Sequence, residues 1–224
     1  QDDGYELIIF YNCIYSNFYQ GKISTIGPAF ERCNHSYFYD IQVVGNTGGY
    51  YFSNSFSPGS YDSVFYNCHY RFYANEMIRM HSDNPFNNSY RSFFVNCSVA
   101  SDIVKNAFVA CDYSCFYNCD AKLEATIYDT DGNGTSLTGY SNYKAQYYSC
   151  RCTLNVNINV VMPVDRYYST TANSRAFGYG FISQGENTVY HNCNASISCV
   201  SYISYMANDT YGPYQACYAD SIAY

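Results

Sequence analysis

The chain has no tryptophan and very little charge. Only 13% of its 224 residues are Asp, Glu, Lys or Arg, about half the share usual in a globular domain. The 11 basic residues are outnumbered by 18 acids and do not cluster. That argues against nucleic acid as a partner, because phosphate binding needs grouped Lys and Arg. No apolar run approaches the roughly 18 residues of a membrane-spanning helix, so no span is expected. There is no CxxC pair, and His35, His69, His81 and His191 are scattered. No metal site and no cofactor are therefore expected. Capped segments with a 3.6-residue period are also missing, which excludes a helical fold.

What the chain has instead is 30 tyrosines, 15 phenylalanines and 12 cysteines. An even cysteine count fits an oxidising compartment, where thiols pair and persist. The first residue is Gln1, as expected of a mature N-terminus whose leader has been removed. Six sequons, at Asn34, Asn87, Asn96, Asn133, Asn194 and Asn208, fit a secreted glycoprotein. DTDGNG (129–134) looks like the start of a calcium loop, but the twelfth position is Tyr140 rather than an acid. A solvated turn is the better reading.

One phrase recurs. IIFYNC ends at Cys13, VFYNC at Cys68, SFFVNC at Cys97, SCFYNC at Cys119 and TVYHNC at Cys193. Around such cysteines the positions two and four residues away on either side are mostly apolar, as in Val64, Tyr66, Cys68, Tyr70 and Phe72. Period two describes a strand with one buried face, here carrying the cysteine. TLNVNINVV (153–161) is the cleanest case, with Leu154, Val156, Ile158 and Val160 inward. On that alternation the aromatic three residues before a cysteine points outward. Phe10, Phe30, Phe65, Phe94, Phe108, Phe116, Tyr147, Tyr190 and Tyr214 then form an exposed interface stripe, of a kind monomers seldom leave uncovered. Asn12, Asn67, Asn96, Asn118 and Asn192 precede the cysteine, at an outer face or corner.

Aromatic-x-Asn-Cys phrases recurring at irregular intervals among Gly, Asn and Ser turns resemble right-handed parallel β-helix proteins of the pectin-lyase-like kind. The resemblance spans most of residues 5–220 and concerns repeat style, not an enzyme signature. It implies one all-β domain over 1–224, an elongated solenoid with irregular loops, in which like residues stack rung on rung about 4.8 Å apart. The alternative is an antiparallel β-sandwich. Disulfides between rungs or within loops could use any of Cys13, Cys33, Cys68, Cys97, Cys111, Cys115, Cys119, Cys150, Cys152, Cys193, Cys199 and Cys217.

Asp and Glu fall mostly singly in turns. Asp120 and Glu124, outward on one strand with Lys122 between them, read as a solvated face rather than the paired carboxylates of a glycosidase. The expected function is therefore non-enzymatic: a secreted structural glycoprotein, a subunit of an extracellular fibre, filament, surface coat or appendage. Self-association into a polymer would use the stripe or the open strand edges at the solenoid ends. The alternatives are a carbohydrate-binding or adhesive module using surface tyrosines, with glycans as partners, and a polysaccharide lyase or hydrolase. The location is extracellular or at the cell surface.

Overall fold

A computed structural model of the chain describes residues 8–25, 27–45, 56–72, 84–102, 106–127, 135–162, 176–184 and 189–205. They are strands and turns throughout, with no helix among the described residues. Every strand pairing is parallel, and strands stack in chain order. This is the parallel β-helix, and the antiparallel sandwich is excluded.

One wall begins with β1 (Phe10–Tyr11) and β3 (Phe30–Glu31). It continues, through the Phe30 N–H donating to the Phe56 carbonyl, into β5 (Ser57–Pro58), β8 (Phe86–Asn87), β11 (Asn106–Val109), β14 (Thr135–Tyr143) and β17 (Ala176–Gln184). The second sheet starts with β2 (Asn17–Thr25) and β4 (Tyr37–Gly45). Later rungs split it at a corner. One limb holds β6 (Val64–Tyr66), β9 (Phe93–Val95), β12 (Cys115–Tyr117), β15 (Gln146–Tyr148) and β18 (Val189–His191). The other holds β7 (His69–Phe72), β10 (Ser98–Ser101), β13 (Asp120–Ile127), β16 (Arg151–Met162) and β19 (Asn194–Tyr205).

The corners are made by left-handed residues. The first corner has Asn12, Arg32, Gly59, Asn88 and Ala110 at positive φ; the second has Tyr15, His35, Asp62, Arg91, Tyr113 and Lys144. The third has Gln20, Asp40, Asn67, Asn96, Asn118, Ser149 and Asn192. Asn and Asp tolerate this conformation better than other side chains, which explains the asparagine before the cysteine.

These corners also overturn the outward stripe. A left-handed residue bends the chain and resets the alternation, so residues three before and at the cysteine both face inward. Phe30, Phe65, Phe94, Phe108, Phe116 and Tyr147 are fully buried, and Phe10 and Tyr190 are half-buried against the core. Tyr214 lies outside the described residues. The residues expected inward just before the corner are instead exposed: Tyr11, Tyr66, Phe93 and Tyr117 are 41–56% accessible. After the corner the expected alternation holds, with Tyr70, Phe72, Val99, Ala121, Leu123 and Leu154 buried.

The core is therefore two aromatic columns. Phe10, Phe30, Phe56, Phe86, Phe108, Tyr140 and Phe181 stack with centroids 4.7–5.5 Å apart. Phe18, Phe38, Phe65, Phe94, Phe116, Tyr147 and Tyr190 stack at 4.7–5.2 Å. Within a rung the two columns meet edge to face, as Phe86 does Phe94 at 5.5 Å and 81°. Offset stacks and T-shaped pairs are the favoured aromatic geometries.

Candidate functional site

Three features could carry function: the corner ladders, the end rungs and the outward columns. The ladders come from small polar residues placed just after left-handed turns, where backbone groups lose their strand partners. At the third corner Cys68, Cys97, Cys119, Cys150 and Cys193 stack, each thiol donating to the carbonyl of the core aromatic one rung below. Cys97 Sγ reaches Phe65 O at 3.3 Å and Cys119 Sγ reaches Phe94 O at 3.3 Å. At the first corner Cys13, Cys33 and Cys111 share the site with serines; Ser89 Oγ donates to Ser57 O at 3.0 Å, as Cys111 Sγ does to Phe86 O at 3.5 Å.

The second corner is a serine ladder. The N–H groups of Ser16, Ser36, Ser63 and Ser92 donate to the hydroxyls of Ser36, Ser63, Ser92 and Ser114. Each of those hydroxyls donates back to a carbonyl of the rung below, as Ser63 Oγ does to Cys33 O. Sequence reasoning missed this ladder. Its signal was a serine three residues after each first-corner Cys or Ser.

Among the described residues the expected disulfides are not there. Cys13, Cys33, Cys68, Cys97, Cys111, Cys115, Cys119, Cys150, Cys152 and Cys193 are free thiols; the side chains of Cys199 and Cys217 lie outside the described residues. In-register stacking holds successive Cβ atoms about one strand separation apart, roughly 4.8 Å, beyond the roughly 3.5–4.5 Å of a disulfide. Burial pushes the Cys111 and Cys152 thiols up to about 12, so they stay protonated and unreactive. Their recurrence is explained by packing and hydrogen bonding, and it no longer argues for an oxidising compartment.

The sequons fall in different settings. Asn34 is buried and its Oδ1 accepts the Tyr61 N–H, which counts against a glycan there. Asn87 is half-buried. Asn96 sits at a corner with Oδ1 accepting from Asn118 Nδ2 at 2.8 Å. Asn194 is exposed. Asn133 and Asn208 lie outside the described residues, as does the turn 129–134.

At the first rung Phe10, Cys13 and Phe18 are half-buried, whereas Phe30, Cys33 and Phe38 one rung on are fully buried. At the other end Tyr190 and Cys193 are half-buried, although Tyr147 and Cys150 beneath them are covered. Among the described residues β2 pairs only with β4, and β19 only with β16.

Outside the wall of short strands runs an aromatic column one residue away from the expected stripe. Tyr19, Tyr39 and Tyr66 follow one another in register, as do Tyr117, Tyr148 and His191, with Val95 between the two groups. Tyr19 and Tyr39 stack at 5.3 Å and 10°. Past the third corner is a polar column of Gln42, His69, Ser98, Asp120, Arg151 and Asn194. His69 Nδ1 lies 2.7 Å from Ser98 Oγ, and its Nε2 3.0 Å from Asn67 Oδ1. Asn67 Nδ2 donates to Asp40 Oδ1 at 2.7 Å. Here too a signal existed, because His69 and Ser98 each directly follow a ladder cysteine.

Other charged groups pair locally: Arg91 makes a two-pronged contact with Asp62 at 2.7 Å, and Lys122 reaches Glu124 at 2.9 Å. Among the described residues no group of three or more His, Cys, Asp or Glu could hold a metal ion, and no helix is long and apolar enough to cross a membrane. No protein-family model matches the chain. No curated protein and no solved structure matches it either.

Proposed function

We propose that this chain is a structural subunit, in the style of pectin-lyase-like solenoids, that stacks head to tail with copies of itself into an extracellular or cell-surface fibre. The observation that carries the reading is the pair of half-covered end rungs. Both present the same inward column, which ends in half-buried Phe18 on one side and half-buried Tyr190 on the other. A second copy would continue the register that every internal rung already uses, setting Phe18 on Tyr190 as Phe116 is set on Tyr147. Edge strands offer their free backbone groups to such pairing, and a head-to-tail contact that does not close grows into a filament. The exposed sequon at Asn194 and the charge-poor surface support a place outside the cell.

The test uses two variants, Phe18→Asp and Tyr190→Asp, each blocking one end. Wild type should sediment as a concentration-dependent polymer and appear as filaments by electron microscopy. Each variant alone should be monomeric, and an equal mixture should stop at dimers, because one good end of each remains. Wild type that stays monodisperse at high concentration would sink the reading. The sugar-binding alternative is less well supported, because Tyr19 and Tyr39 are stacked on each other and Val95 interrupts the outward column.

A further inference from the structure

The side chains around His69 form a directional chain of hydrogen bonds whose proton positions follow from donor chemistry alone. The Asp40 carboxylate only accepts, so Asn67 must turn its Nδ2 toward it, at 2.7 Å. That leaves the Asn67 Oδ1, also an acceptor only, facing His69 Nε2 at 3.0 Å. Nε2 therefore carries the imidazole proton. Nδ1 is left with its lone pair, and the Ser98 hydroxyl lies 2.7 Å from it. Asn67 is held for this by its corner, at φ 54°. His69 is half-buried, and burial lowers its pKa against the smaller opposing pull of Asp40, which keeps the imidazole neutral and basic near pH 7.

A hydroxyl on a neutral imidazole whose far nitrogen is fixed by an amide oxygen is the arrangement that activates a serine. The polar column around it is in register, with Gln42 behind His69 and Asp120 beyond Ser98. Two residues further along the strands, Arg71, Ala100 and Lys122 align. Ala100 is the small member of that row, so no bulky side chain stands two residues from Ser98, where a short acyl group would lie. Ser98 and Ala100 lie on the outer, partly exposed side of β10, within reach of an acyl group carried on a larger molecule.

We propose that Ser98 is a nucleophile, His69 its general base and Asn67 the residue that positions His69, together transferring short acyl groups such as acetyl from esters displayed on larger molecules. Ser98 Oγ bonds to the ester carbonyl carbon while its proton passes to His69 Nδ1. The tetrahedral adduct collapses, the bond to the departing alcohol breaks, and that alcohol takes the proton from Nδ1. Water then attacks the acyl-serine, gives a proton to Nδ1, and releases the carboxylic acid as Ser98 recovers its hydrogen. These residues lie apart from the end rungs, so this activity and head-to-tail assembly stand or fall separately.

The probes are p-nitrophenyl acetate and a fluorophosphonate reagent, with the labelled residue mapped by peptide mass spectrometry on the full chain. Wild type should release p-nitrophenol and carry the label on Ser98. Ser98→Ala should lose both, and His69→Gln should slow both by about a hundred-fold, with thermal melting unchanged because both side chains face out. Asn67→Gly keeps the left-handed corner; it should lower kcat about ten-fold with KM unaltered, which a purely structural role would not do. Absence of label on Ser98 in the folded wild type, or equal labelling in His69→Gln, would overturn the proposal.

Discussion

Phe65 and Phe94 lie face to face in successive rungs, with centroids 4.8 Å apart and planes 5° from parallel. Phe93, one residue before Phe94, points the opposite way and is 56% exposed. The two neighbours should respond very differently to truncation. Phe94→Ala removes a link from a fully buried column and should cost about 3–5 kcal/mol, whereas Phe93→Ala should cost less than about 1 kcal/mol. Paired urea titrations measure both, and equal costs would contradict the inward column.

The serine ladder makes a second prediction. Ser63→Ala leaves the Ser36 N–H and the Cys33 carbonyl without the hydroxyl that joins them. The site is buried, so the cost should be about 1–3 kcal/mol. Cys111→Ser should be far milder, since a serine already fills the same first-corner place one rung below, at Ser89. A comparison of their melting temperatures distinguishes a hydrogen-bonding role for these corners from mere space filling.

Alkaline lability follows from the thiols. Burial pushes Cys33, Cys111 and Cys152 up to about 12, and Cys150 reaches about 12 chiefly through its contact with Cys119, all from an ordinary 9.0. Below pH 9 these thiols are protonated whether the chain is folded or not, and their contribution is intact. Between about 9 and 12 the unfolded chain releases those protons while the folded one retains them, so stability must fall as pH rises. Urea midpoints should drop steadily across that window, and Cys111→Ser should make the slope shallower. In the absence of reductant, the denatured chain should titrate with thiol reagents that barely touch the folded one.

Ala110 stands at a left-handed corner, with φ 53°, where other described rungs use Asn, Arg or Gly. An ordinary L-residue is strained there by roughly 1–2 kcal/mol, of which glycine's greater unfolded-state freedom gives back a part. Ala110→Gly should therefore stabilise the chain by about 0.5–1 kcal/mol, read as a higher melting temperature.

Much of this fold could be read from the repeated phrase, because parallel stacking puts the same residue types at the same place in every rung. The inward run after the corner, through Val99, Leu123 and Leu154, follows the two-residue period. The half-rung before it does not. A single left-handed residue such as Asn67 flips the face of everything upstream, and periodicity counted across it assigns Tyr66 to the core and Phe65 to the surface. The clue was chemical rather than periodic: asparagine is the residue that accepts positive φ. The relay at His69 was hidden for a different reason. Its members come from three rungs, Asp40, Asn67 with His69, and Ser98, which only the stacking register brings together.

That register gives the molecule a countable length. Each rung touches only its neighbours, as in other solenoids, and every corner and column asks the same of the rung above as of the rung below. Excising residues 56–85 would set Phe86 over Phe30, Ser92 over Ser36 and Phe94 over Phe38, each landing on the kind of partner it already has. Chains of this design can be lengthened or shortened by whole turns, by duplication or loss, without inventing a new core.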